Sequence, residues 1–256
     1  MKVFSVFGIT QSGKTTTVEK IITELRRRRY TVGSVKDIHF EDFAIDTEGT
    51  NTDRHKKAGA QLVTARGLFE TDILFPSQLP VEKILEFYDH DFVVLEGVSD
   101  YNVPKIVCGH TTKELDERIN PSVFAISGVI SNELTEYQGL PAFNAVEDID
   151  SLVDYIEKKV FPKLPNVAPE CCGLCGLSCE KLLYAILSGE KKRGDCLLDS
   201  SQVKLTINNQ EISMVEFVQE ILTKTVVGLV STLDGYKKYG EIHLEISQKG
   251  EEDDTQ

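Results

Sequence analysis

Residues 8–15 read Gly-Ile-Thr-Gln-Ser-Gly-Lys-Thr. This is G-x-x-x-x-G-K-(S/T) in full, and what flanks it narrows the fold. Residues 2–7, KVFSVF, are an apolar run of strand length. From residue 14 the period changes: Val18, Ile21, Ile22 and Leu25 keep one face of a helix over 14–29. A strand, a glycine-bounded turn and a helix in that order can close around a phosphate chain. The glycines let the backbone curl so that its N–H groups face inward, and the helix brings the positive end of its dipole to the same place. Gly8, Thr10, Gln11, Ser12, Gly13, Lys14, Thr15 and Thr16 are therefore candidates for a nucleotide's phosphates. Lys14 supplies charge at the β- and γ-phosphates, and Thr15 offers a hydroxyl to Mg²⁺.

Such a loop needs an acid at the end of a neighbouring strand. DFVVLEG (91–97) is a buried strand, and Glu96 closes it, with Gly97 leaving room for a close backbone approach. A carboxylate there holds Mg²⁺ or polarises an attacking water, so Glu96 is the first catalytic and metal candidate. Asp37, just after the strand 31–36, is the second. Asp46 and Gly49 lie in a polar loop over 37–53 of the kind that responds to a γ-phosphate. No N-K-x-D stands in the chain, so the pattern leaves GTP and ATP equally open. Arg54 beside the loop and Lys105 in the following strand are candidate anion contacts. His39, His55 and His110 read as surface histidines, and Arg26 to Arg29 as a solvated helix end.

Further strands are expected at 103–109 and 122–128, with helices at 80–89 and 146–160 and shorter pieces at 53–60, 61–65 and 68–75. Strands alternating with helices give an α/β fold, a mostly parallel sheet covered on both faces, over residues 1–160. FPKLPNVAPE (161–170) reads as a linker. A cysteine-rich module at 171–198 follows, then a small α+β extension over 199–250 with a hairpin at 204–212, a helix at 213–230 and a strand at 241–246. Residues 251–256 read as a disordered acidic tail.

Four of the six cysteines fall between 171 and 179, a concentration that suits a metal site better than a disulfide scaffold. From Cys172 the spacing is C-x₂-C-x₃-C-x₁₆-C, through Cys175 and Cys179 to Cys196. Three close thiolates and one distant one are the expected ligands of a 4Fe–4S cluster, with Zn²⁺ as the alternative. Lys and Arg number 28 against 41 Asp and Glu, a net charge of −13. That excludes general binding to nucleic acid or to an anionic membrane. With no long apolar run and no leader-like N-terminus, a cytoplasmic location is expected.

GITQSGKTTTVEKIITELRRRRYTVGSVK, DTEGTNTDRHKKAGA, VVLEGVSDYNVPKI and GLPAFNAVEDIDSLVDYI, in that order over residues 2–160, resemble the molybdopterin-guanine dinucleotide biosynthesis protein B (MobB) family. The resemblance implies a P-loop NTPase-type fold, GTP bound with Mg²⁺, weak hydrolysis at most, a homodimer, and a role beside the guanylyltransferase that joins GMP to molybdopterin. It places Asp46, Asp53 and Arg54 in the loop facing the phosphate site. The family often has Lys-His where this chain has Lys36-Asp37, and a Lys where it has Ser99. The cysteine stretch resembles a small iron–sulfur domain, with one residue fewer between Cys175 and Cys179. Two other readings are a metallochaperone-like NTPase, in which nucleotide state gates metal release, and an iron–sulfur electron carrier or sensor on a degenerate nucleotide fold.

Overall fold

The computed structural model describes residues 1–40, 43–166, 175–196, 203–208, 210–212, 214, 216–236 and 242–246. Two compact units divide the chain, Met1–Asp199 and Ser200–Gln256.

The first unit is built on five parallel strands: β1 (Lys2–Gly8), β2 (Val32–Lys36), β5 (Phe92–Glu96), β6 (Lys105–Cys108) and β7 (Val123–Ser127). Their order is β2-β5-β1-β6-β7, with β1 central. Val, Ile and Phe fill these strands because both faces are covered. Alternation sorts the side chains. Phe4 and Val6 join Phe92, Val94, Ile106 and Cys108 on one face, under α1 (Lys14–Arg27), α5 (Ile149–Lys159) and α6 (Cys179–Ser188). Val3, Val93 and Leu95 turn to the other face, beside Leu85 of α3 (Val81–Leu85). Phe7 and Val107 lie on that face with Leu115 of α4 (Thr112–Asp116). The short pieces are α2 (Asn51–Lys57), the antiparallel pair β3 (Val63–Arg66) and β4 (Thr71–Leu74), and the pair β8 (Glu136–Tyr137) and β9 (Leu140–Pro141). The α/β class and the parallel sheet agree with the sequence reading.

The break in packing comes after residue 199, later than the expected end at 160. Leu182, Leu183 and Leu187 of α6 belong to the same core as α1 and α5, and so does Leu164. Pro162 bridges to Lys2, and Lys163 N–H bonds to the Met1 carbonyl. Residues 161–166 are therefore built into the sheet unit, because their apolar side chains find its core; 167–170 lie outside the described residues. In the second unit β10 (Leu205–Ile207) and β11 (Gln210–Ile212) pair as the expected hairpin, and α7 (Glu216–Val230) is the expected helix. Residues 242–246, part of the expected strand at 241–246, carry no strand assignment among the described residues, and 241 lies outside them. Among the described residues no helix is long and apolar enough to cross a membrane. The expected acidic tail, 251–256, lies outside them.

The arginine-rich end of α1 is not simply solvated. Glu24, 95% buried, bonds Arg27 Nε at 2.6 Å and Arg28 Nε at 2.7 Å. Arg27 and Arg28 then reach Asp150, Asp154 and Glu157 on α5 at 2.5–2.7 Å. The hydrogen bond from Arg27, helped by Arg28, holds the Glu24 carboxyl down at about 2. A carboxyl so depressed stabilises the fold above its ordinary pKa of 4.5, and that contribution fades as pH falls from 4.5 towards 2. Glu24→Gln is expected to cost about 1–2 kcal/mol at pH 7 and almost nothing at pH 2. Thermal melts across that range check this, and an equal loss at both ends would refute it.

Candidate functional site

The loop between β1 and α1 is seated by backbone contacts on the ends of β6 and β7. Gly8 has φ +150°, and a Cβ there would sit 2.0 Å from the Cys108 carbonyl oxygen. Gly13, at φ +89°, occupies the N-cap of α1 and supplies no side-chain cap. The first N–H groups of the helix are thus left for a ligand, where a phosphate is favoured by both dipole and hydrogen bonds. Ser12 is buried and turns its hydroxyl inward to the Ile9 carbonyl, 2.8 Å away. Lys14 Nζ donates to the Ile9 carbonyl, which folds the side chain back over its own loop. Thr10, Gln11, Thr15 and Thr16 are exposed at the mouth. Gln11 takes φ +60°, and its carbonyl lies 3.1 Å from His110 Nε2.

The acidic partner follows from strand register. Val6 is level with Glu96, and Glu96 with Lys36. Glu96 continues the Phe92–Val94 face, the one under α1, so its side chain reaches the start of that helix. Glu96 Oε1 accepts from Thr15 Oγ1 at 2.6 Å and from Lys36 Nζ at 2.9 Å, and the Lys36 ammonium is also 3.4 Å from Thr15 Oγ1. Glu96 is 7% exposed. A hydroxyl and a carboxylate this close are hard oxygen donors of the kind Mg²⁺ prefers, so Thr15 and Glu96 fit that ion. Asp37 joins through its backbone, its N–H bonding the Glu96 carbonyl at 2.9 Å. Gly97, at φ +87°, lets the chain turn beside it, with the Asp37 carbonyl 3.3 Å from where a Cβ would stand.

The chain has relatives that share this arrangement of elements. A family model described as molybdopterin guanine dinucleotide synthesis protein B matches residues 3–131, half of the chain. The chain belongs to that family. A molybdopterin-guanine dinucleotide biosynthesis adapter protein of Methanocaldococcus jannaschii is 28% identical over 256 residues, 96% of this chain and 97% of its own length. The Bacillus subtilis protein of the same description is 28% identical over 158 residues, 60% of this chain and 90% of its own. The crystal structure of Bacillus subtilis MobB superposes with a TM-score of 0.54 at 25% identity, over 64% of this chain and all of that one.

Within this MobB-family fold the loop residues meet Glu96, whereas the 43–60 segment is organised around itself. Asp46 pairs with Lys56 at 2.8 Å and accepts from the Thr50 and Thr52 hydroxyls. The Lys56 bond, then the hydroxyls, hold its carboxyl at about 2. Asp53 accepts from the Gly49 N–H at 2.8 Å and pairs with Lys57 at 2.9 Å. Arg54 is exposed on α2. Among the described residues no hydrogen bond or ion pair joins Asp46, Asp53 or Arg54 to residues 8–16. Lys36 is the residue that sequence reasoning missed. Its signal was its place at the end of a strand, and only the strand order reveals that this strand lies beside Glu96.

The expected cluster finds no support. Among the described residues no group of three or more Cys, His, Asp or Glu side chains converges as a metal site. Cys196 is buried in the leucine-rich core, Cys175 Sγ faces the Leu177 carbonyl at 3.4 Å, and Cys179 opens α6. Cys172 lies outside the described residues.

Proposed function

We propose that this chain binds GTP with Mg²⁺ and acts as an adapter in assembling a molybdopterin-guanine dinucleotide. In this reading it works as a homodimer beside the guanylyltransferase and hydrolyses GTP slowly at most. The observation that carries it is the uncapped start of α1 with Lys14 at its mouth and Thr15 already bonded to Glu96, in a chain whose relatives are described as adapters of that synthesis. The phosphates are gripped by the loop amides and Lys14. Thr15 and Glu96 would hold Mg²⁺, which would supply positive charge against the phosphates. Slow hydrolysis follows from Glu96 itself. One carboxylate oxygen takes bonds from both a hydroxyl and an ammonium. A carboxylate so neutralised is a poor base toward water.

Calorimetric titration of the full chain with GTP and ATP, with Mg²⁺ and with chelator, tests this. GTP is expected to bind in the micromolar range, at least about tenfold tighter than ATP, and to weaken about tenfold on chelation. Turnover is expected below about 0.01 s⁻¹. Absence of GTP binding, or equal affinity for ATP, would overturn the reading.

A further inference from the structure

The parallel strands have two ends. The phosphate loop follows the carboxyl end of β1, where Gly8 is level with Cys108. At the other end of β6 stands Lys105, level with Ser5. It lines a cavity of about 670 Å³ with Asp100, Tyr101, Asn102, Ser122, Glu180 and others. This volume is in the range that holds a small-molecule ligand. Lys105 is 5% exposed. Its ammonium has three N–H donors and, among the described residues, makes a single hydrogen bond, to Ser122 Oγ at 3.2 Å. That hydroxyl is neutral, and it also serves Asn120. Among the described residues no carboxylate forms an ion pair with Lys105; Asp100 and Glu180 act on it only at longer range. A buried cation with spare donors and no counter-ion is costly unless something anionic arrives. Burial already pushes its pKa down.

The rest of the wall is of a different character. Asn102, Asn120 and Asn166 present amides, and Tyr101 and Tyr184 flat rings. Asp100 is exposed at the rim, and Glu180 is bonded by the Tyr184 hydroxyl at 2.5 Å. Carboxylates repel a bare anion and accept from amino and ring N–H groups. One cation inside and two acids outside select a ligand with both signs of polarity.

We propose that this cavity is a second ligand site for a phosphorylated amino-heterocycle, whose phosphate meets Lys105 while its amino and ring N–H groups meet Asp100 and Glu180. Two sources share this chemistry, a pterin phosphate and a guanine nucleotide; the pterin is the one that would complement a nucleotide in the phosphate loop, and that choice alone rests on the function proposed above. The two sites share no lining residue: Lys105 opens β6 level with the middle of β1, three positions before Gly8.

The test uses the full chain carrying Lys14→Ala, which disables the phosphate loop. It is titrated with neopterin monophosphate, GMP and inorganic phosphate. At least one of the two heterocyclic phosphates is expected to bind at least about tenfold tighter than inorganic phosphate. Adding Lys105→Met should weaken that binding at least about tenfold, with folding checked by circular dichroism. Asp100→Asn, at an exposed position, should weaken the heterocyclic phosphate and leave inorganic phosphate unchanged. If Lys105→Met does not fold, Asp100→Asn decides alone. Binding of neither heterocyclic phosphate, or binding that is the same in every variant, overturns the proposal. A tighter neopterin phosphate identifies the pterin, and a tighter GMP the nucleotide. Loss of GTP binding at the phosphate loop is read separately, in the chain with Lys14 intact.

Discussion

Lys14→Ala is expected to weaken GTP binding by at least about 100-fold, close to 3 kcal/mol. The reason lies in how the loop is arranged. Its backbone donors are shared among several N–H groups, and losing any one leaves the others in place. The ammonium of Lys14 is a full positive charge at the mouth, carried on a flexible side chain. It is held over the loop by the Ile9 carbonyl, and a phosphate oxygen is the stronger acceptor. Lys14→Arg should recover little, because a planar fork does not fit a position shaped for a compact ammonium. Titration of GTP into both variants, with melts to confirm that the fold is intact, measures this. An alanine variant that binds within threefold of the unaltered chain would remove the phosphate loop from the proposed function.

Much of the proposed site is legible in the sequence. A motif of eight residues fixes the loop because its chemistry is local: glycines where the backbone must turn, a lysine and a hydroxyl one residue apart. Glu96 was legible for a related reason, since an apolar run ending in an acid marks a strand end. Lys36 was not, because its role depends on β2 lying next to β5, and adjacency is set by the whole chain. The same limit hid the α1–α5 ion pairs. Four arginines in a row look alike, and only the placement of α5 shows that Arg27 and Arg28 face acids. The cysteine stretch misled for the opposite reason. Its spacing suggested a separate module, but the leucines of α6 answer to the core and draw the helix into the first unit. The sequence offers Lys105 as a candidate anion contact. Its burial, and the cavity around it, could not have been read from a strand pattern.

Gly128→Ala should damage nucleotide binding without altering any residue of the loop. Gly128 follows β7 at φ +82°, where a side chain is strained whatever the space. A Cβ there would lie 2.1 Å from the Ser12 carbonyl oxygen and 2.9 Å from Cys108 Cβ. The next residue, Val129, bonds that same Ser12 carbonyl through its N–H at 3.0 Å. Gly13 is close as well, its Cβ position 3.0 Å from Gly128 Cα. The phosphate loop is thus seated on the ends of β6 and β7, and a methyl group at Gly128 must lift it off. Both obstacles belong to well-packed parts of the chain, so neither can move aside cheaply. A loss of about 3 kcal/mol in stability and at least about tenfold in GTP affinity is expected, from backbone strain together with overpacking. Gly139→Ala is the control. It has a similar φ of +77° but nothing within 4 Å of its Cβ position. It should show strain alone, about 1 kcal/mol, and bind GTP as the unaltered chain does. Denaturant melts and calorimetry on both variants separate the two contributions. If the two alanines behaved alike, contact with the loop would be irrelevant. The strand ends would then carry no part of the phosphate site.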